Sequence, residues 1–100
     1  VEWAHHRIRV NAILPAQILT PRMQDLVDDP QFDHEALMRD FLHGIPLNRL
    51  GLPDEIVGPV AFLASDAASF VTGALLPVDG GNLALNAGGS HRWPKWNTEG

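Results

Sequence analysis

Five histidines, twelve carboxylates, three serines at positions 65, 69 and 90, and a threonine framed by prolines are the groups that could do chemistry in this chain of 100 residues. Most of them lack the spacing that chemistry requires. His5 and His6 are adjacent, so on a helix they point about 100° apart rather than at one ion. His34-Glu35 opens like a zinc motif but has no second histidine three residues on. Asp25, Asp28, Asp29 and Asp33 cluster without the D-x-[DN]-x-[DN]-G order of a calcium loop, so helix capping and solvation are the simpler roles. No serine has a G-x-S-x-G setting, and neither G-x-G-x-x-G nor G-x-x-x-x-G-K-[ST] occurs. No metal site and no phosphate cradle is therefore expected from these residues. Trp93 and Trp96 could stack on a sugar or base, or pack on a neighbouring subunit.

The remaining candidate is the stretch from Arg9 to Met23. An apolar run, Val10 to Leu14, stops at Pro15, and a loop with Thr20 and Pro21 follows. A continuous apolar run ended by proline reads as a strand buried on both faces; a helix from Val1 to Leu14 is the competing reading. Ligands of open α/β sheets sit just outside the carboxyl ends of the strands. On residue chemistry alone, a structural loop is the simpler account of Pro15–Thr20.

The supporting elements follow in order. Pro21 can open a turn of helix through Val27, which Asp28-Asp29-Pro30 ends. A second helix fits Asp33 to His43, with Asp33 as N-cap, Gly44 as a C′ residue, and Leu37, Met38, Phe41 and Leu42 as its apolar stripe. A third fits Pro53 to Ala64, with Pro53 at its first position, Asp54 and Glu55 at the positive dipole end, and Ile56, Val57, Val60, Ala61, Leu63 and Ala64 buried. Pro59 should bend it, because an interior proline removes a backbone bond. Ser65-Asp66 can cap a turn to Phe70. A second strand spans Ala74 to Val78; Pro77 places it at a sheet edge. Asp79-Gly80-Gly81 turns the chain, and residues 86–100 read as a flexible or subunit-docking tail.

The composition is 45% apolar and 19% charged, with a net charge of -5. Scattered cations on an acidic chain argue against a nucleic-acid partner. No apolar run is long enough to span a bilayer, so no membrane role is expected. The absence of cysteine excludes disulfides and thiolate chemistry and fits a cytoplasmic setting. Val1 in place of Met, and only two convincing strands, read as a fragment of a larger fold.

Taken together, the segments resemble the C-terminal part of the short-chain dehydrogenase/reductase family. They are Ile8-Arg9-Val10-Asn11-Ala12-Ile13-Leu14-Pro15, Ile18-Leu19-Thr20-Pro21, and the run from Pro46 to Ile56. Phe62-Leu63-Ala64-Ser65-Asp66, Val71-Thr72-Gly73 and Pro77-Val78-Asp79-Gly80-Gly81 complete the set, in the family's order over about residues 4–85. The resemblance implies an α/β fold: the C-terminal part of a Rossmann-type doubly wound parallel sheet, comprising its last two strands, a substrate lid over about 22–45, and the last helix. It implies NAD or NADP as cofactor, with Pro15, Ile18 and Thr20 as cofactor-binding residues. Ile18 would bond the nicotinamide carboxamide through its backbone. The implied substrate is a small alcohol or ketone of sugar, polyol or 3-oxoacyl type, and the implied assembly a homo-oligomer through the last helix and edge strand.

The family's Gly-rich loop and its Tyr-x-x-x-Lys pair are not among these residues, and tyrosine is absent altogether. No catalytic residue is therefore assigned, and the 100 residues alone are expected to be inactive. A non-catalytic oligomerisation module derived from the same fold is the alternative. The family's usual Pro-Gly is Pro15-Ala16 here; a positive φ at Ala16 would cost about 1–2 kcal/mol.

Overall fold

The computed structural model describes residues 1–86. The chain is α/β. A single 3₁₀ turn, Ala4–His6, leads to strand β1 (Ala12–Pro15) and three helices: α1 (Pro21–Val27), α2 (His34–Leu42) and α3 (Asp54–Ala64). A second 3₁₀ turn, Asp66–Ala68, precedes strand β2 (Leu75–Val78) and the short helix α4 (Asn82–Asn86). The expected tail beyond residue 86 lies outside the described residues.

β1 and β2 pair in parallel, with Ala12 opposite Leu75 and Pro15 opposite Val78. Some 60 residues separate them in sequence, as parallel pairing demands a long crossover. Side chains set the register. Asn11 Oδ1 accepts from Ala74 N at 2.9 Å, and its Nδ2 donates to the Val71 carbonyl at 3.1 Å. Arg9 donates to the Val71 and Ser65 carbonyls, and Thr72 Oγ1 accepts from Val10 N. Asn11, which reads as an interruption of an apolar run, is thus what aligns the start of β2.

Both strands start later than expected, by two residues for β1 and one for β2. β1 is also not buried on both faces. Its residues are half-buried or exposed, because β2 is its one neighbour among the described residues.

Helices α1 and α2 form where the sequence places them. Thr20 caps α1, its Oγ1 accepting from Met23 N at 3.2 Å, with Pro21 at the first helical position. Asp33 caps α2 through Glu35 N and Ala36 N. Leu37, Met38, Phe41 and Leu42 are half-buried together, facing the side on which Val27 and Ile45 are buried. Gly44 is not the expected left-handed C′ residue. Its φ is not positive, and Ile45 N instead bonds the Leu42 carbonyl at 3.0 Å in a tightened last turn.

Helix α3 departs from expectation in three ways. It begins at Asp54, with Pro53 as the preceding residue already in helical geometry. It runs as one helix through Pro59, with no break in its helical span at the point where a bend is expected. The helix side at Glu55 is exposed, so the carbonyl that Pro59 cannot serve is left to water. Its burial is partial: Ile56 and Leu63 are half-buried, but Val57, Val60, Ala61 and Ala64 are exposed because one face alone packs, against β1 and the turn after it. Ser65 caps nothing; its hydroxyl donates back to the Phe62 carbonyl at 2.8 Å.

Candidate nicotinamide site

The loop after β1 is held at one point. Ile18 and Gly51 form an isolated parallel bridge: Gly51 N donates to the Gln17 carbonyl at 2.9 Å, and Leu19 N donates to the Gly51 carbonyl at 2.8 Å. In such a bridge the residue between the two bonded neighbours turns its own N–H and C=O the other way. The Ile18 carbonyl accepts from Thr20 N at 2.8 Å in a tight turn. Its N–H has no hydrogen-bond partner among the described residues.

Gly51 brings the backbone close to the Ile18 side chain, whose end would have to turn aside for a larger residue. A Cβ there would stand 2.6 Å from Ile18 Cδ1. The Gly51 segment is fixed in turn by Arg49, whose two guanidinium nitrogens grip the two carboxylate oxygens of Glu55 at 2.6 and 2.7 Å. Glu55 Oε1 also accepts from Leu52 N at 2.9 Å. These bonds, with the guanidinium's contribution first, lower the Glu55 carboxyl to about pKa 2.

The other wall is the turn after β2. Asp79 accepts from Gly81 N and Leu83 N, which shapes the start of α4. Gly80 and Gly81 have φ of 62° and 99° and lie under the 45–47 segment; a Cβ on Gly80 would be 2.5 Å from Ile45 Cγ2. Leu47 N bonds the Gly80 carbonyl. Between these walls lies an open, mainly apolar cleft of about 490 Å³, lined by Ile18, Leu47, Arg49, Pro77 and Gly80 among others.

The structure does not gather the three expected residues into this one cleft. Ile18 lines it. Pro15 is the exposed last residue of β1, paired with Val78, and Thr20 caps α1 beyond it. Ala16 carries no positive φ, so the strain considered for Pro15-Ala16 is absent. A second cleft, about 450 Å³, runs along α2 beside His34, Met38, Arg39, His43 and Asn48. Among the described residues, no group of three His, Cys, Asp or Glu could hold a metal ion. No helix there is long and apolar enough to cross a membrane.

Arg49 and Gly51 were not candidates on sequence grounds, and Glu55 reads there as a dipole residue. A separation of six between Arg49 and Glu55 fits neither helix nor strand. It becomes a contact where the chain turns into α3 at Leu52-Pro53, with Glu55 N donating to the Leu52 carbonyl at 2.9 Å.

Comparison with known proteins decides the family. A family model described as enoyl-(acyl carrier protein) reductase matches residues 1–82. The 2-dehydro-3-deoxy-D-gluconate 5-dehydrogenase of Escherichia coli K12 is 47% identical over 83 residues, which is 83% of this chain and 31% of that protein. A short chain dehydrogenase family protein from Francisella tularensis superposes with a TM-score of 0.72 at 33% identity, over 83% of this chain and 36% of that one. The chain belongs to the short-chain dehydrogenase/reductase family.

It spans about a third of the length of the curated relatives it matches. Its α/β architecture with two parallel strands is a part of the Rossmann fold of that family, which is NAD(P)-dependent. One further structure, from Agrobacterium tumefaciens and described as a 2-deoxy-D-gluconate 3-dehydrogenase with bound NADP, superposes with a TM-score of 0.72 at 43% identity, over 83% of this chain and 32% of that one.

Proposed function

We propose that these residues form the nicotinamide end of a short-chain dehydrogenase/reductase that moves a hydride between NAD(P) and a secondary alcohol or ketone. The observation that carries the proposal is the Ile18–Gly51 bridge, which turns an unpartnered Ile18 N–H away from Gly51 at the carboxyl end of β1. That is the side and the donor a nicotinamide carboxamide oxygen requires. Ile18 would hold the carboxamide. The Thr20 hydroxyl, whose oxygen already accepts from Met23 N, keeps its proton free to donate to the cofactor. Pro15 would end the strand and set the entry to the loop. Bound NAD(P) supplies the hydride acceptor or donor.

No residue of this chain is assigned to proton transfer, because it contains no tyrosine and the family's Tyr-x-x-x-Lys pair lies elsewhere in the fold. The 100 residues by themselves are accordingly inactive. Residues 22–45 form the substrate lid, with α1 and α2 closing over the site and excluding water. A sugar or sugar-acid substrate is supported by the gluconate-type relatives and by the polar side chains along the α2 cleft. Exposed Val57 and Val60 on α3 and Leu75 on β2 support a homo-oligomer through that face. A cytoplasmic setting accords with the lack of cysteine.

The test is an NADPH and NADH titration of the full gene product, followed by fluorescence, with the wild type and Ile18→Pro. Proline removes the N–H, and loss of one such bond weakens affinity about tenfold. Equal affinity in the two proteins would remove Ile18 from the site. A full gene product that binds neither nucleotide but self-associates would favour the non-catalytic module instead.

A further inference from the structure

The Arg49–Glu55 pair has more geometry than a surface ion pair needs. Its side chains are 52% and 40% exposed, and pairs so placed contribute little to stability. Yet both guanidinium nitrogens meet both carboxylate oxygens, Arg49 NH1 also donates to the Leu50 carbonyl at 3.2 Å, and Glu55 Oε1 also accepts from Leu52 N. One carboxylate at the start of α3 therefore ties down both ends of the segment 49–52. Between those ends sit buried Leu50 and Gly51. Both backbone polar groups of Gly51 are spent on Gln17 and Leu19, the two neighbours of Ile18. A shift of residues 49–52 is passed to the Ile18 loop through these two bonds.

We propose that Arg49 and Glu55 are positioning residues: their forked pair fixes Gly51 and, through it, the placement of the Ile18 backbone toward the nicotinamide. The proposal rests on the reading of Ile18 given above. It requires an arginine specifically. A lysine keeps the charge but offers one point of attachment where the fork offers two. It also requires an ionised carboxylate at position 55. A glutamine can still accept from Leu52 N, but it can no longer receive both guanidinium nitrogens.

The test uses hydrogen–deuterium exchange of the full gene product, comparing wild type with Glu55→Gln and Arg49→Lys. In both variants, peptides covering Gln17–Leu19 and Leu50–Leu52 should exchange about fivefold faster or more, through local opening. Peptides covering β2, whose alignment depends on Asn11 instead, should stay within about twofold of wild type. A rise spread evenly over all peptides would make the pair a general stabiliser and overturn the proposal; so would unchanged exchange at Gln17–Leu19. NADPH titration of the same variants separates the two ideas. Faster exchange with weakened binding supports both. Faster exchange with unchanged binding supports the clamp and removes Ile18 from the cofactor site.

Discussion

At Ile18 and its supports, single atoms carry the account, and the supports differ in how visible they are in the sequence. Asp33 sits just before an apolar-periodic run, so its capping role could be anticipated, and the structure finds it doing what its position suggests, whereas Thr20, expected as a cofactor contact, is found capping α1. Asn11 and the Arg49–Glu55 pair could not be anticipated, because their partners are set by the crossover and by the turn at Leu52-Pro53. Asn11 offers a direct check. Asn11→Leu leaves Ala74 N without its partner in a half-buried position, while the Val71 carbonyl keeps Arg9, and should destabilise the full gene product by about 1–3 kcal/mol in urea unfolding. A loss within error of zero would mean the strands align without it.

Glu55 sets a pH dependence with a definite sign. Its folded-state pKa is lowered from 4.5 to about 2, so the pair's contribution is complete above pH 4.5 and is lost as pH falls from there toward 2. Protection at the Ile18 loop, taken relative to the intrinsic exchange rate at each pH, should fall over that window in wild type. It should lack that step in Glu55→Gln, which has no carboxylate to protonate.

Among the elements, α1 and α2 were the most legible, because local capping and a 3.6-residue stripe specify them without distant help. The strands were legible in kind but not in limits or burial. A parallel strand reads as apolar on both sides, yet β1 is only partly buried and, among the described residues, has its neighbour on one edge alone. Helix α3 shows the same limit. Its apolar residues point all round, and the sequence cannot say which of them meet their own chain and which meet another. Val57, at 62% exposure, and Leu75, at 68%, are the measure of what remains uncovered. If this face joins copies of the protein, Val57→Lys and Leu75→Lys should each lower the oligomeric mass seen by analytical ultracentrifugation without loss of helical circular dichroism. An unchanged mass would place the interface elsewhere.

The molecule taken whole buries little. Val27, Ile45, Leu50 and Ala68 are the buried hydrophobic residues among those described, while Phe70 is fully exposed at 102%. Two strands with uncovered faces do not make an independently stable parallel sheet. The isolated 100 residues should therefore show no sharp two-state melt and should bind no NADPH. Micromolar binding by the isolated chain would show that the site is complete without further strands. The Escherichia coli relative is about three times as long as the portion that matches it.

The central claim is that this portion supplies a working nicotinamide end, and a replacement experiment tests it most directly. The matching C-terminal third of the Escherichia coli 2-dehydro-3-deoxy-D-gluconate 5-dehydrogenase can be exchanged for the 83 residues of this chain that align with it at 47% identity. The hybrid should fold and bind its nicotinamide cofactor within about tenfold of the parent's affinity, and Ile18→Pro in the hybrid should weaken that binding about tenfold further. A folded hybrid that binds no nicotinamide cofactor, or one whose binding is indifferent to Ile18→Pro, would contradict the account.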